Sequence, residues 1–185
     1  MGRNIILDLA VTLDGFIEGK QGETDWCIMD PDMEFLAFLD RIDTILYGRK
    51  SYELWGEHAP SDDAAPSEKE LWTAVHSKEK YVFSTNRNKA ARGAVYIHDS
   101  VGEKVAELKR KPGKDIWLYG GAGLIATFIE QGLVDEYRLS VHPVALGAGK
   151  PLFTEMKQRL ELELIEAKTF SSGVVQLIYR RQPEQ

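Results

Sequence analysis

Along this chain, short unbroken apolar runs alternate with apolar residues at helical spacing, from one end to the other. Residues 3–11 (RNIILDLAV) read as a strand and 13–19 (LDGFIEG) as a turn. A helix is expected next, with Asp30 as its N-cap, Pro31 at the first helical position, and Phe35, Leu36, Leu39 and Ile42 at helical spacing. Residues 43–48 form a short buried-type strand and 49–56 a short helix, and 59–66 (APSDDAAP) is loop-like. Ser67 is placed to cap a helix through Val75, with Glu70 completing a capping box. Strands at 80–85 and 94–98 precede a helix from Ser100 to Lys111, which KPG stops. A further strand, 115–120, leads into a helix at 123–131 that ends at Gly132. The remainder is strand-rich, and its last two runs, joined by SSG, read as a hairpin. The alternation predicts an α/β sandwich, mostly parallel at first and closed by antiparallel strands.

Composition narrows the function classes. A chain of 185 residues with 43% hydrophobic content supports one substantial core, so a single domain over 1–185 is expected. The net charge of −6 argues against a broad footprint for nucleic acid or an anionic membrane, so a bound anion must be gripped locally. No apolar run has the length of a membrane span, and Asp8 interrupts the N-terminal apolar stretch, which makes a cytoplasmic protein the expectation. Cys27 is the only cysteine and reads as a core or pocket-lining thiol beside Trp26. His58, His76, His98 and His142 form no ligand-spaced pair, so no metal site is expected.

The chemistry gathers at strand ends. In WLYGGAGL (117–124) a strand runs through Gly120, Gly121 and Gly123 into a helix, the layout in which backbone N–H groups face a phosphate. Gly121, Gly123 and Ala126 satisfy the dinucleotide pattern G-x-G-x-x-G/A, but the turn comes late in the chain and the next strand ends without an acid. Tight packing of the glycines is the alternative. In YGRKSYELW (47–55), Gly48, Arg49, Lys50 and Ser51 put donors at another helix start, and VFSTNR gives Ser84, Thr85 and Arg87 at a third strand end. If these strands are parallel, all three ends lie on one edge of the sheet, where an extended dinucleotide can span them. Arg49 and Arg87, without acids nearby, suit the 2′-phosphate of NADP better than a bare ribose.

These motifs resemble the dihydrofolate reductase superfamily, which includes the reductase domain of bacterial riboflavin biosynthesis. GRKSYE resembles the Gly-Arg-x-Thr/Ser helix start of dihydrofolate reductases, FST their adenosine-phosphate strand end, and YGGAGL their paired-glycine turn. LAVTLDGFIEG resembles the strand and loop that flank the nicotinamide, and the segment from GGAGLIATF to PLF is similar to the riboflavin-type reductase domain. The resemblance implies a three-layer α/β/α sandwich with a mixed, mostly parallel sheet and a C-terminal antiparallel hairpin. It implies NADPH as cofactor, with Gly48, Arg49, Lys50, Ser51, Ser84, Thr85, Arg87, Gly120, Gly121, Ala122, Gly123 and Leu124 around it. Ala10 would then lie near the carboxamide and Ile17 on the ring. Dihydrofolate reductases carry an acid sixteen residues before the glycine of the Gly-Arg motif, a spacing that selects Asp32 as the catalytic and substrate-binding group. The acid-rich helix start around Asp30, Asp32 and Glu34 also suits a plain capping role. The first half lacks the Gly-x-Thr and Asp-Asn-Pro pattern of riboflavin reductases, and the zinc deaminase half of the bifunctional riboflavin enzyme is absent.

The expected activity is hydride transfer from NADPH to a small heterocycle of pyrimidine or pterin type. Trp26, Phe35 and Trp55, as well as Asp32, are the candidates for its pocket, with ordinary core packing as the alternative for the aromatics. The other class of reading is a non-catalytic nucleotide-binding sensor that keeps the cofactor cleft. The resemblance and the exposed edges of the last strands imply a homodimer.

Overall fold

The computed structural model describes residues 2–86, 93–98, 100–154 and 156–182. The unbroken apolar runs become the centre of one sheet: β1 (Ile5–Thr12), β3 (Ile42–Gly48), β4 (Glu79–Phe83) and β6 (Asp115–Gly120). Such runs suit strands that are covered on both faces, as parallel strands are. β5 (Val95–Ile97), β7 (Glu136–His142), β9 (Leu162–Thr169) and β10 (Val175–Arg181) complete it, in the order β5-β4-β3-β6-β1-β7-β10-β9. Every neighbouring pair from β5 to β7 is parallel, and β10 alone runs against its neighbours to make the antiparallel closure. A second, two-stranded sheet pairs β2 (Phe16–Glu18) with β8 (Lys150–Pro151). The close approach there depends on Gly149, since a Cβ would stand 2.2 Å from the Glu18 carbonyl oxygen.

Helices cover both faces, giving the three-layer sandwich. On one face, α4 (Val101–Arg110) and α5 (Ala122–Glu130) press Val105, Leu108, Ile125 and Phe128 onto Ile5, Leu7, Leu118 and Tyr137. On the other, α1 (Phe35–Arg41), α2 (Arg49–Ser51, continued by a π-helical turn Tyr52–Gly56) and α3 (Pro66–His76) pack Phe38, Leu39, Tyr52 and Val75 onto Ile6, Ile45, Tyr47 and Trp117. At the N-terminal edge of the sheet, buried Arg3 donates to the Lys114 carbonyl at 2.5 Å and to Thr44 Oγ1 at 2.6 Å, and pairs with Asp43.

Two helix starts differ from the sequence expectation. Asp30 caps a 3-10 turn, Pro31–Met33, through its Oδ1 on the Asp32 amide at 2.9 Å and its carbonyl on the Met33 amide at 3.0 Å. Glu34 then adopts a left-handed conformation (φ 51°), so α1 begins only at Phe35. Its inward face is Phe35, Phe38 and Leu39, leaving Leu36 exposed, and Ile42 already belongs to β3. The capping box at Ser67 does not form either. Pro66 takes the first helical position, where its fixed φ and missing N–H cost nothing, and Ala65 precedes it without a side-chain cap.

Candidate functional site

Parallel pairing of β4, β3 and β6 brings their C-terminal ends side by side, with Gly48 in register with Phe83 and Tyr47 with Gly120. There the main chains of β3 and β6 nearly touch. A Cβ on Gly48 would lie 3.2 Å from the Gly121 nitrogen and 3.5 Å from the Gly120 oxygen. Gly120 has φ 130°, a value open to glycine, and the Gly120–Gly121 peptide is cis. Gly121 precedes α5, its carbonyl accepts from Ile125 N at 3.0 Å, and a Cβ on it would meet Ser51 Oγ at 2.7 Å. Gly123 is exposed, with open space where a Cβ would stand. The first amides of α5 therefore emerge in a cradle with no side chain from Gly120, Gly121 or Gly123. Ala122 and Leu124 pack back against the core on the α5 side.

The polar groups around this cradle are already engaged to different degrees. Contrary to the expectation of no acid beside Arg49, its Nη1 pairs with Glu53 Oε2 one helical turn along at 2.6 Å; Lys50 is exposed. Ser84 follows β4; its amide donates to the Ile97 carbonyl at 3.0 Å and its hydroxyl accepts from Asn86 N at 3.1 Å. His98 Nδ1 donates to the Ser84 carbonyl at 2.8 Å, and Thr85 is exposed. Arg87 lies outside the described residues.

On the α1 face, Phe35 stands edge-on to Trp117 at 5.5 Å and Trp26 edge-on to His142 at 5.4 Å. Trp26 Nε1 donates to the Glu23 carbonyl at 3.2 Å. Asp32 is exposed at the 3-10 turn ahead of α1. The ring partners of Trp55 lie elsewhere: it is parallel to Trp72 of α3 at 6.5 Å and faces His58 at 5.7 Å, with 40% of its surface exposed. Ala10 lies on the α1 side of β1, opposite Ser140, whereas Ile17 packs into the cluster that holds Val11 and Leu152. The Cys27 thiol is pushed up to about 11 by burial, so it is a neutral wall group at ordinary pH.

A row of polar side chains on this face escaped the reading of motifs. Arg138, Ser140 and His142 alternate along β7 and stand in register with Asp8, Ala10 and Thr12 of β1. Arg138 Nε donates to Asp8 Oδ2 at 2.8 Å, and both side chains are nearly buried. The Arg138 guanidinium also lies 5.1 Å from the Phe38 ring centre. Burial raises the Asp8 pKa, a shift that Arg138 only partly opposes. His142 Nδ1 donates to the Ser140 carbonyl at 2.9 Å. The signal was present in RLSVH, where polar residues at every second position share one face of a strand.

The family model for the RibD C-terminal domain matches residues 3–176. The chain is 64% identical over 177 residues to the uncharacterized protein YyaP of Bacillus subtilis (strain 168), covering 96% of this chain and 94% of that protein. Among solved structures, the "putative riboflavin biosynthesis protein" of Shewanella sp. PV-4 superposes with a TM-score of 0.79 at 26% identity, covering 99% of this chain and all of that one. The dihydrofolate reductase of Enterococcus faecalis, solved with NADP(H), superposes with a TM-score of 0.68 at 18% identity over 97% of each chain, a likeness of fold.

Proposed function

This chain belongs to the RibD C-terminal domain family, and from that premise we propose that it is an NADPH-dependent reductase that transfers hydride to a small heterocycle, with residues 1–185 acting as one domain. The observation that carries the proposal is the glycine cradle, where a Cβ on Gly48 would crowd the Gly120–Gly121 backbone. Such a cradle fits a pyrophosphate, because a ligand can approach amide groups at a helix start that side chains would otherwise cover. Gly120, Gly121, Ala122, Gly123 and Leu124 would hold the pyrophosphate, with hydroxyls from Ser51, Ser84 and Thr85 around it. Arg49, Lys50 and Arg87 supply positive charge for the 2′-phosphate. Ala10 and Ile17 form dry walls beside the nicotinamide.

NADPH, when bound, supplies the hydride. The chain's own residues orient and desolvate the reacting groups, which is where most of the acceleration in such reactions arises. Phe35 and Trp26 offer flat apolar surface to a ring. Asp32, at the open start of the α1 segment, can accept a hydrogen bond from an N–H of the substrate and relay to it a proton taken up from solvent. We also propose a cytoplasmic homodimer.

Titration calorimetry with NADPH and NADH side by side tests the reading. NADPH binding at least tenfold tighter than NADH is the expected result. Binding of neither would reduce the cradle to packing and overturn the reductase assignment.

A further inference from the structure

Tyr47 is completely buried, and its hydroxyl has no hydrogen-bond partner among the described residues. Phenylalanine would fill the same space without stranding a polar group, so a buried hydroxyl of this kind calls for an explanation in what it meets when the protein is at work. Its surroundings suggest one. The Tyr119 ring lies 4.8 Å away and the Tyr52 ring 5.5 Å away. Tyr119 in turn stands 5.0 Å from Trp117, against which Phe35 packs, and the pKa of its phenol is raised by burial first and by the neighbouring Cys27 thiol second. The two segments expected to line the substrate pocket, around Trp26–Cys27 and Phe35, thus converge on Tyr119. Position along the strands matters as much. Tyr47 and Tyr119 are the residues immediately before Gly48 and Gly120, so their side chains turn to the α1 face just where the main chain forms the cradle. Ala10 is on that same face of the sheet.

We infer that the hydroxyls of Tyr47 and Tyr119 hold a carbonyl oxygen of the substrate beside the nicotinamide, and that the part of the substrate they hold is a planar, uncharged carbonyl ring, a lactam or ring ketone. This deepens the reductase reading and rests on it. Tyr52, with its phenol donating to Glu57 at 3.3 Å, is already committed and closes the far side. An uncharged ring fits the charges on this wall. Its rings and the Cys27 thiol are neutral, and Arg138, the cation of the β7 row on this face, is committed to Asp8. Burial holds the Tyr47 and Tyr119 phenols well above the usual tyrosine range, so they remain donors throughout the working pH range.

The test uses a matched pair of probes, 2-quinolone, which presents a lactam carbonyl, and 2-aminoquinoline, which presents an amino group in its place. Calorimetry and thermal melts are run on the wild type, Tyr47→Phe and Tyr119→Phe, with an NADPH titration of each. The expected result is that 2-quinolone binds more tightly than 2-aminoquinoline, and that each variant weakens 2-quinolone by about tenfold, the loss of one hydrogen bond, while NADPH affinity is unchanged. Unchanged 2-quinolone affinity in Tyr47→Phe together with a melting temperature raised by about 2–4 °C would overturn the inference, since the hydroxyl would then be only an unsatisfied core group. Failure of 2-quinolone to bind the wild type while NADPH binds would overturn it too and leave the reductase reading standing. Loss of both would bring down the reading itself. Should Tyr47→Phe fold poorly, Tyr119→Phe carries the same comparison at the partly buried member of the pair.

Discussion

Gly48 has backbone where a side chain would be, and that single fact links packing to function. A methyl group placed there meets the Gly121 nitrogen at 3.2 Å and the Gly120 oxygen at 3.5 Å, atoms of a main chain that has no rotamer to change. Gly48→Ala is therefore expected to push the ends of β3 and β6 apart, at about 1–3 kcal/mol for overpacking. NADPH affinity should fall at least tenfold, because the α5 amides move with Gly121. Denaturant melts and calorimetry on the same variant check both halves, and normal NADPH binding in a destabilised variant would show that the cradle does not hold the pyrophosphate. The glycines were readable in the sequence, because few other roles put them at a strand-to-helix junction. Arg49 was readable as a residue but not as a partner. Its ion pair with Glu53 is exposed by about a third on each side and so is weak, which leaves the guanidinium free to exchange an intrahelical carboxylate for a phosphate. Nothing in the order of residues distinguishes those two states.

At the scale of elements, the loop between β1 and β2 is fastened by one carboxylate. Asp14 accepts from the Thr12 hydroxyl at 2.6 Å and from the amides of Leu146 and Gly147 at 3.2 and 2.7 Å. The loop is also joined to the β7–β8 connection by Leu13 N on the Val144 carbonyl, and to the residue after β8 by Leu152 N on the Gly15 carbonyl. Ile17 sits in the short strand that this arrangement positions. The Thr12 hydroxyl, followed by the Gly147 and Leu146 amides, holds the Asp14 carboxyl below its ordinary value. A lowered carboxyl pKa in the folded protein contributes stability that is complete above the unfolded value, near 3.8, and is lost as pH falls through the lower folded value. Asp14→Asn should melt below the wild type at pH 7, and the gap should close as the pH is taken below about 4. NADPH should also dissociate faster from the variant. Thermal melts across that range and stopped-flow displacement measure the two effects; a gap independent of pH would show that the charge on Asp14 is not what fastens the loop. The sequence marks Asp14 and Gly15 as a turn, but β8 has no periodicity and comes from pairing over more than a hundred residues. The late start of α1 was equally hidden, since Asp30 and Pro31 open a 3-10 turn as readily as an α-helix.

For the whole molecule, strand and helix alternation was enough to give layers and mostly parallel pairing, because covered strands need the near-continuous apolar runs that this sequence shows in β1, β3 and β6. What alternation does not contain is which strands are neighbours, and so the polar row of β7 beside β1 became visible only with the order of the sheet. The same order leaves β9 at an edge, paired with β10 on one side. Its residues are exposed along most of its length, Leu164 by 53% and Ile165 by 45%. An edge strand with unpaired backbone groups and two large apolar side chains is a template for another strand, and native chains cover such edges or charge them. Glu163, Glu166 and Lys168 charge it in part, while Leu164 and Ile165 leave an apolar centre between them. A second copy of the chain lying along this edge would bury those two residues and satisfy the open ladder. Light scattering at micromolar concentration is expected to give the mass of two chains, and Ile165→Lys, which puts a charge into the centre of the contact, to give the mass of one with NADPH binding unchanged. A wild-type protein that scatters as a monomer would end the dimer proposal, and a dimer indifferent to Ile165→Lys would move the contact away from β9.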